Sequence, residues 1–505
     1  MSDTAKPETP AAKAPESEAD RRLRERVEKL VVRDAAVSSG SCRLANGTTL
    51  DYTAHVAFLP VVDGNLAGAG APPQAAVMTT AYLAKGVAAA ARPVCFAFNG
   101  GPGSASVWLH LGALGPKRVI VPDDGSMPRA PYAVSDNPLT WLEHFDLVFI
   151  DPPHTGWSVC ASEAARKKML SVDGDVEALS EVMRLWLTRH QRWGSAVYLA
   201  GESYGTTRGA ALANKLAEMG IPPSGVVLVS CAMDLQTLVF SPGNDLPYAL
   251  FLPAMANVSQ YHGLLKGPLG ASSAAAREAA EAYVPEYLAA LHAGARLSTV
   301  QRGKVAARLA ELTGLPQALV EEKNLRIADH VYFFEAMRDK GLQVGRLDAR
   351  VTGPMAAHRT REWEFDPGIE SIEGPYTMAA MDYFGRTLGL QIEERYQVLN
   401  REVNMGWTWM RGGDGPKGDK MGFASTSGDL ARALRRNAHL KVLAASGRYD
   451  LGTPYSASDW SLAQLDAPAD VLARVQHRYY DAGHMMYTRQ ADLAQLKADL
   501  AAWLG

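Results

Sequence analysis

Cysteine is scarce in this chain: four residues, Cys42, Cys95, Cys160 and Cys231, are scattered through 505. Cys95 and Cys231 sit inside apolar runs, so they read as small buried hydrophobes rather than as parts of a disulfide framework. No C-x-x-C or H-E-x-x-H spacing occurs, and neither a metal nor a cofactor is expected. No run of eighteen uncharged apolar residues exists, so the sequence offers no membrane-crossing helix. An excess of one charge is missing too. The 51 Lys and Arg against 54 Asp and Glu leave a net charge of −3 with the signs interspersed, which removes the basic footprint of a nucleic-acid binder. The first residues lack the apolar h-region of a signal peptide, which predicts a cytoplasmic protein, or a periplasmic or secreted one if a leader has been removed. Met1 to about Asp20 is rich in Ala, Pro, Glu, Lys and Ser, with no aromatic residue. Such a stretch buries too little surface to offset its chain entropy, and residues 1–30 are expected to form a disordered tail.

What remains is an ordinary globular mixture, 47% apolar and 21% charged. From about Ala36 to Lys85 the segments Thr49 to Leu59 and Ala76 to Leu83 read as antiparallel strands. The pattern then changes to short continuous apolar runs: Pro93 to Phe98, Leu147 to Ile150, Ala196 to Ala200 and Val226 to Val229. Strands buried on both faces look like this. An amphipathic stretch, Val172 to Trp186, separates the second run from the third, and strand–helix alternation implies a mainly parallel, doubly wound α/β sheet.

Residues 235–422 break the alternation. Ser273 to Ala290, Val300 to Thr313, Gln317 to Met337 and Tyr376 to Leu388 carry helical periodicity, whereas the run Gly412 to Pro416 fits no phosphate-binding frame and reads as a connection. The α/β pattern returns with Leu440 to Ala445, a helix near Ala457 to Leu465, a strand at Val475 to Tyr480 and a last helix, Ala491 to Leu504. The expected organisation is therefore a core in two parts, 31–234 and 423–505, interrupted by a helical insertion or lid.

Chemistry concentrates at Gly201-Glu202-Ser203-Tyr204-Gly205, which follows an apolar run and opens a helical one. Strand, sharp turn and helix form the context in which G-x-S-x-G makes a nucleophile elbow, so Ser203 is the candidate nucleophile. A serine hydroxyl needs a base, and the base an acid, in the chain order Ser, Asp, His for an α/β-hydrolase fold. Asp450 and His484 each lie just past a late strand and meet that order. Among the twelve His residues, His477 falls within the last strand and His439 precedes its own, at the wrong edge of the sheet. An oxyanion hole would use the N–H of Tyr204 and a donor from Asn99-Gly100-Gly101-Pro102-Gly103, which directly follows the Pro93 to Phe98 strand.

These residues resemble the serine carboxypeptidases, peptidase family S10, in a bacterial-type form. Asn99 to Gly103 matches the family's N-G-G-P-G, Gly201 to Gly205 its G-E-S-Y-G, Gly447 to Asp450 its G-D-x-D, and Ala482 to Met485 its A-G-H-M. Asp151 to Ser158 resembles the D-P-x-G-T-G-[YF]-S loop. The resemblance implies a serine-type carboxypeptidase acting on peptides with a free C-terminus through an acyl-enzyme. It also implies that Gly101 is the second oxyanion donor, and that Asn99, Gly100 and Glu202 bind the substrate carboxylate. That last role requires Glu202 to be protonated, because two carboxylates in one pocket do not both ionise comfortably.

The chain departs from the family in four places. Relatives carry a Glu shortly before a G-P that shares a proton with the first Glu; here Leu111-Gly112-Ala113-Leu114 precedes Gly115-Pro116. Arg448 replaces the first Asp of G-D-x-D, His154 replaces a loop Gly, and Ser104 stands where many relatives have a disulfide Cys, in keeping with a reducing compartment. An acyltransferase or esterase could use the same three residues on the same fold, and a non-catalytic binding protein could keep them as a relic. A homo-oligomer is left open.

Overall fold

The computed structural model describes residues 16–62, 70–412 and 422–505. Ten strands form one sheet: β1 Ala36–Arg43, β2 Thr49–Val62, β3 Pro73–Ala84, β4 Val94–Phe98, β5 Asp146–Ile150, β6 Val159–Cys160, β7 Val197–Glu202, β8 Gly225–Val229, β9 Lys441–Gly447 and β10 Val475–Tyr480. Their spatial order is β1-β2-β3-β5-β4-β7-β8-β9-β10, with β6 beside β3. The first three strands and the β3–β5 junction are antiparallel; from β5 to β10 every neighbour is parallel. β4 and β5 exchange places relative to chain order, the signature of a doubly wound sheet. An antiparallel edge followed by this parallel run is the α/β-hydrolase fold.

The apolar runs alternate between two faces. Cys95 and Ala97 of β4, Leu147 and Phe149 of β5, and Val227 and Val229 of β8 join one core cluster. Their neighbours Phe96, Val148 and Leu228 join the other. Helix α2, Val172–Arg189, and helix α3, Tyr204–Glu218, cover the second face with Val176, Leu179, Trp186 and Leu212. Burial on both sides explains why these strands read as continuous rather than alternating. All four cysteines are buried and free.

Three expectations need correction. Residues 18–30 of the expected tail are helical: α1, Glu18–Val31, is capped by Ser17 and buries Val27 and Leu30. Its stripe Leu23, Val27, Leu30 and Val31 packs into the core, a 3.6-residue signal masked by abundant Arg and Glu. The remainder of that tail, 1–15, lies outside the described residues, as do 413–416 of the glycine-rich connection. Second, Gln317 to Met337 is two helices, Gln317–Glu322 and Asp329–Glu335. Asn324 and Leu325 take positive φ between them, and the Leu325 carbonyl accepts the Tyr287 hydroxyl. Third, the helix expected from Tyr376 begins earlier, at Pro367, where Asp366 caps Gly368 N at 2.9 Å.

One helix in the insertion, Leu246–Tyr261, is apolar on nearly all sides and contains Pro253, so no stripe announces it. It packs with Ser273–Ala293 and Thr299–Thr313 in a separate core. By contrast Ile372, Tyr376, Tyr383 and Phe384, from the same insertion, join the core of the sheet.

The start of β5 is anchored by a buried ion triad. Asp146 accepts Arg92 Nε at 2.9 Å and Arg192 Nη1 at 2.5 Å, and the side chains are at most 9% exposed. Removing the acid strands two buried guanidiniums. Asp146→Ala is expected to cost about 3–5 kcal/mol, read in calorimetry as a melting temperature several degrees lower; an unchanged melt would contradict the triad's structural role.

Candidate active site

Ser203 sits between β7 and α3 with φ 59° and ψ −128°, a backbone conformation that side-chain-bearing residues rarely adopt. Its N–H donates to Val229 O of the neighbouring strand at 2.9 Å. Glycines let the turn close. A Cβ on Gly201 would stand 2.1 Å from Gly205 O, and one on Gly205 would stand 2.7 Å from Phe98 O. The loop after β4 arrives just as closely: a Cβ on Gly100 would be 2.4 Å from Tyr204 N and 2.5 Å from Gly205 N. The Gly100 backbone therefore lies against the Tyr204 and Gly205 N–H groups at the start of α3.

Asp450 and His484 come together from the loops after β9 and β10. His484 Nδ1 donates to Asp450 Oδ2 at 2.7 Å, and both side chains are at most 4% exposed. The carboxylate also accepts Thr453 Oγ1 at 2.7 Å, Thr453 N at 3.0 Å and Gly452 N at 2.7 Å. Burial pushes Asp450 up, but the charge of His484 and these hydrogen bonds outweigh it and hold the carboxyl below its usual range. Burial acts on His484 in the opposite sense; the charge and hydrogen bond of Asp450 overcome it and raise the imidazole. Ser203 and His484 line one cavity of about 440 Å³. Among the described residues no hydrogen bond joins them, a contact that often tightens only with substrate in place.

Asn99, Gly100, Gly101 and Glu202 line the same cavity. Asn99 is held at the end of β4: its Oδ1 accepts Leu109 N at 3.0 Å and its carbonyl accepts the Arg208 guanidinium. Arg208 is in turn paired with buried Asp175 at 2.7 Å. Glu202 is 3% exposed and receives the Tyr487 hydroxyl on Oε2 at 2.6 Å. Burial raises Glu202 to about 7, against the pull of His484, Tyr487 and Asn99.

Tyr487 also accounts for the absent second Glu. A Cβ on Gly112 would meet the Tyr487 ring at 2.6 Å and Tyr376 Oη at 2.7 Å. Two phenols thus lie against a glycine in the segment where relatives carry an acid, and Glu202 has a hydroxyl donor as its partner. Two other departures have local reasons: Ser104 Oγ accepts the Trp108 indole at 3.0 Å, and the Arg448 guanidinium stacks 5.1 Å over Tyr479. His154 takes φ 61°, a conformation that suits the loop Gly it replaces, and nothing in the structure explains the change.

His477 lies between Asp459 at 2.8 Å and Ser446 at 2.9 Å, which repeats the triad's residue types. Ser446 is fully buried, so this group packs the sheet edge and offers no nucleophile. Sequence reasoning missed Thr453, Tyr487 and the wall that the insertion supplies: Arg346, Trp363, Phe365, Ile369 and Met405. None sits in a motif. A second cavity of about 270 Å³ lies between β2, α2 and α3 and contains none of the expected site residues.

The fold and this site define an α/β-hydrolase. Residues 82–220, which include the Asn99 to Gly103 turn and the Ser203 elbow, match the family model of the serine carboxypeptidases, so the resemblance holds over that stretch. A search of the curated proteins finds no match. Similar solved structures include a proline iminopeptidase from Mycobacterium smegmatis, at 10% identity over 92% of this chain and 97% of that one, TM-score 0.35. Others are a thioesterase domain from the curacin biosynthetic pathway (12%, 88% and 99%, TM-score 0.31) and a juvenile hormone epoxide hydrolase from the silkworm Bombyx mori (13%, 90% and 78%, TM-score 0.32). Scores this low add nothing to what the strand order already shows.

The raised Glu202 carboxyl has a consequence for stability. Its value of about 7 in the fold exceeds the ordinary 4.5, so between those pH values the folded state keeps a proton that the unfolded chain releases. Stability from this group is therefore full at low pH and is lost as pH rises through 7. Glu202→Gln should gain on the wild type by on the order of 3 kcal/mol between pH 4.5 and 8. Parallel melts of both proteins at the two pH values check this; an equal difference at both would refute it.

Proposed function

We propose that this hydrolase is a serine-type carboxypeptidase. The observation that carries the reading is Glu202, buried beside Asn99 in the wall of the cavity that holds Ser203, and neutral up to about pH 7. A protonated carboxyl can donate a hydrogen bond to a carboxylate, whereas an ionised one would repel it. The family match over residues 82–220 supports the same reading.

Ser203 Oγ attacks the last peptide carbonyl while His484 Nε2 takes its proton. Asp450 stays ionised and stabilises the imidazolium through Nδ1. The oxygen that gains the negative charge accepts the N–H groups of Gly101 and Tyr204. As the C–N bond breaks, His484 returns the proton to the leaving nitrogen and a free amino acid departs. Water then attacks the Ser203 ester, gives its proton to His484, and the second tetrahedral species releases the shortened peptide and restores the serine.

Mass-spectrometric digestion of N-blocked dipeptides against their C-terminal amides tests this. Release from the free acids but not the amides is expected, and Ser203→Ala should lower it by at least about 10⁴-fold. Equal cleavage of acids and amides, or of neither, would remove the carboxypeptidase reading in favour of ester substrates or another acyl acceptor.

A further inference from the structure

Resting on the carboxypeptidase reading, we infer that Arg346, contributed by the insertion, is the cation that binds the substrate's free α-carboxylate. Arg346 is half-buried and lines the cavity with Ser203 and His484. Among the described residues its guanidinium has no carboxylate at ion-pair distance and no hydrogen-bond acceptor. An arginine that makes no ion pair at the wall of a cavity, its nitrogens open to solvent, presents five fixed donors and a full positive charge to an entering anion.

Among the described residues the cavity's acids Glu202, Glu364 and Asp366 form no ion pair with Arg346, although Asp366 feels its charge. Asp366 spends its oxygens on Arg346 N at 2.9 Å, Leu347 N at 3.2 Å and Gly368 N at 2.9 Å. Asp450 is committed to His484, Thr453 and Gly452. The cavity's other arginine, Arg401, is 69% exposed and reaches Glu370 at 3.8 Å.

The position of Arg346 selects the leaving group as its target. Its neighbour Leu347 accepts His484 N at 2.6 Å, and a Cβ on Gly452, two residues from Asp450, would stand 3.2 Å from Arg346 Nη1. The guanidinium thus stands on the Asp450–His484 side of the nucleophile. His484 must protonate the departing nitrogen, and the α-carboxylate hangs two bonds from that nitrogen. A carboxylate so placed lies beside His484, where Arg346 supplies full positive charge and Asn99 with neutral Glu202 supplies uncharged donors. The clamp therefore works without the second Glu of the family.

The test measures kcat/KM for N-blocked dipeptide acids and the matching amides in wild type, Arg346→Met and Arg346→Lys. The acid-to-amide ratio should fall by at least about tenfold in Arg346→Met, chiefly through KM for the acid, and Arg346→Lys should recover part of it. The ratio is internal to each protein, so a partly misfolded variant still reports it. If the wild type prefers acids and Arg346→Met keeps that preference within twofold, the role of Arg346 is refuted while the carboxypeptidase reading stands. If the wild type shows no preference for acids, both fall.

Discussion

The site depends on three backbones meeting with no side chain between them. Gly201 and Gly205 let β7 turn into α3 within one residue, and Gly100 lets the loop after β4 lie against the same turn. Each approach is close enough that a single methyl group would force the segments apart. This constraint sets the distance between a nucleophile on Ser203 and the donors expected from Gly101 and Tyr204, and it does so through main chain rather than adjustable side chains. The strain at Ser203 is tolerated because sheet and helix over-determine it: Val229 O holds its N–H, and Thr206 N and Oγ1 hold its carbonyl.

Behind that turn, the balance of charge is set by burial. Asp450 and Glu202 are both fully buried carboxyls near His484, yet they are driven in opposite directions. Asp450 accepts four donors, one of them cationic when His484 is charged, and remains ionised. Glu202 receives only neutral donors at contact, from Tyr487 and Asn99, and burial wins. Two acids with opposed environments are thus suited, on the proposed function, to stabilising an imidazolium and presenting a proton. Burial keeps the Glu202 carboxyl raised even though the Tyr487 phenol at 2.6 Å pulls it the other way, and the Tyr487 ring takes the space beside Gly112.

The sheet was legible because strands buried on both faces leave uninterrupted apolar runs, and the elbow because its tight turn demands glycine at fixed positions. Asp450 and His484, which the structure brings to 2.7 Å, were picked out by chain order and by the edge of the sheet at which their loops emerge. Helix α1 escaped because charged residues outnumber the apolar ones of its stripe, and Leu246–Tyr261 because a helix apolar on nearly all sides has no periodicity to detect. Tyr487 and Thr453 were invisible for another reason. Tyr487 bonds Glu202, 285 residues away, and leaves no local pattern, whereas Thr453 bonds Asp450 only three residues back, a short-range pairing too common to single out a site.

The insertion also does more than cover a finished site. Its segment Arg346 to Ala349 is tied to both loops that carry Asp450 and His484. Leu451 N donates to Arg346 O at 3.0 Å and Ala349 N to Tyr449 O at 3.0 Å, on either side of Asp450. His484 N donates to Leu347 O at 2.6 Å, while Gly483 leaves no room for a Cβ against Asp348. Asp366 then fixes the same segment from its other side through the N–H groups of Arg346 and Leu347. The loops after β9 and β10 thus use the insertion as a template, and their register depends on it. The backbone at position 346 is thereby fixed beside Asp450 and His484, while its side chain carries no such tie. Variation in the outer helices could then alter what enters the cavity without moving the acid–base pair.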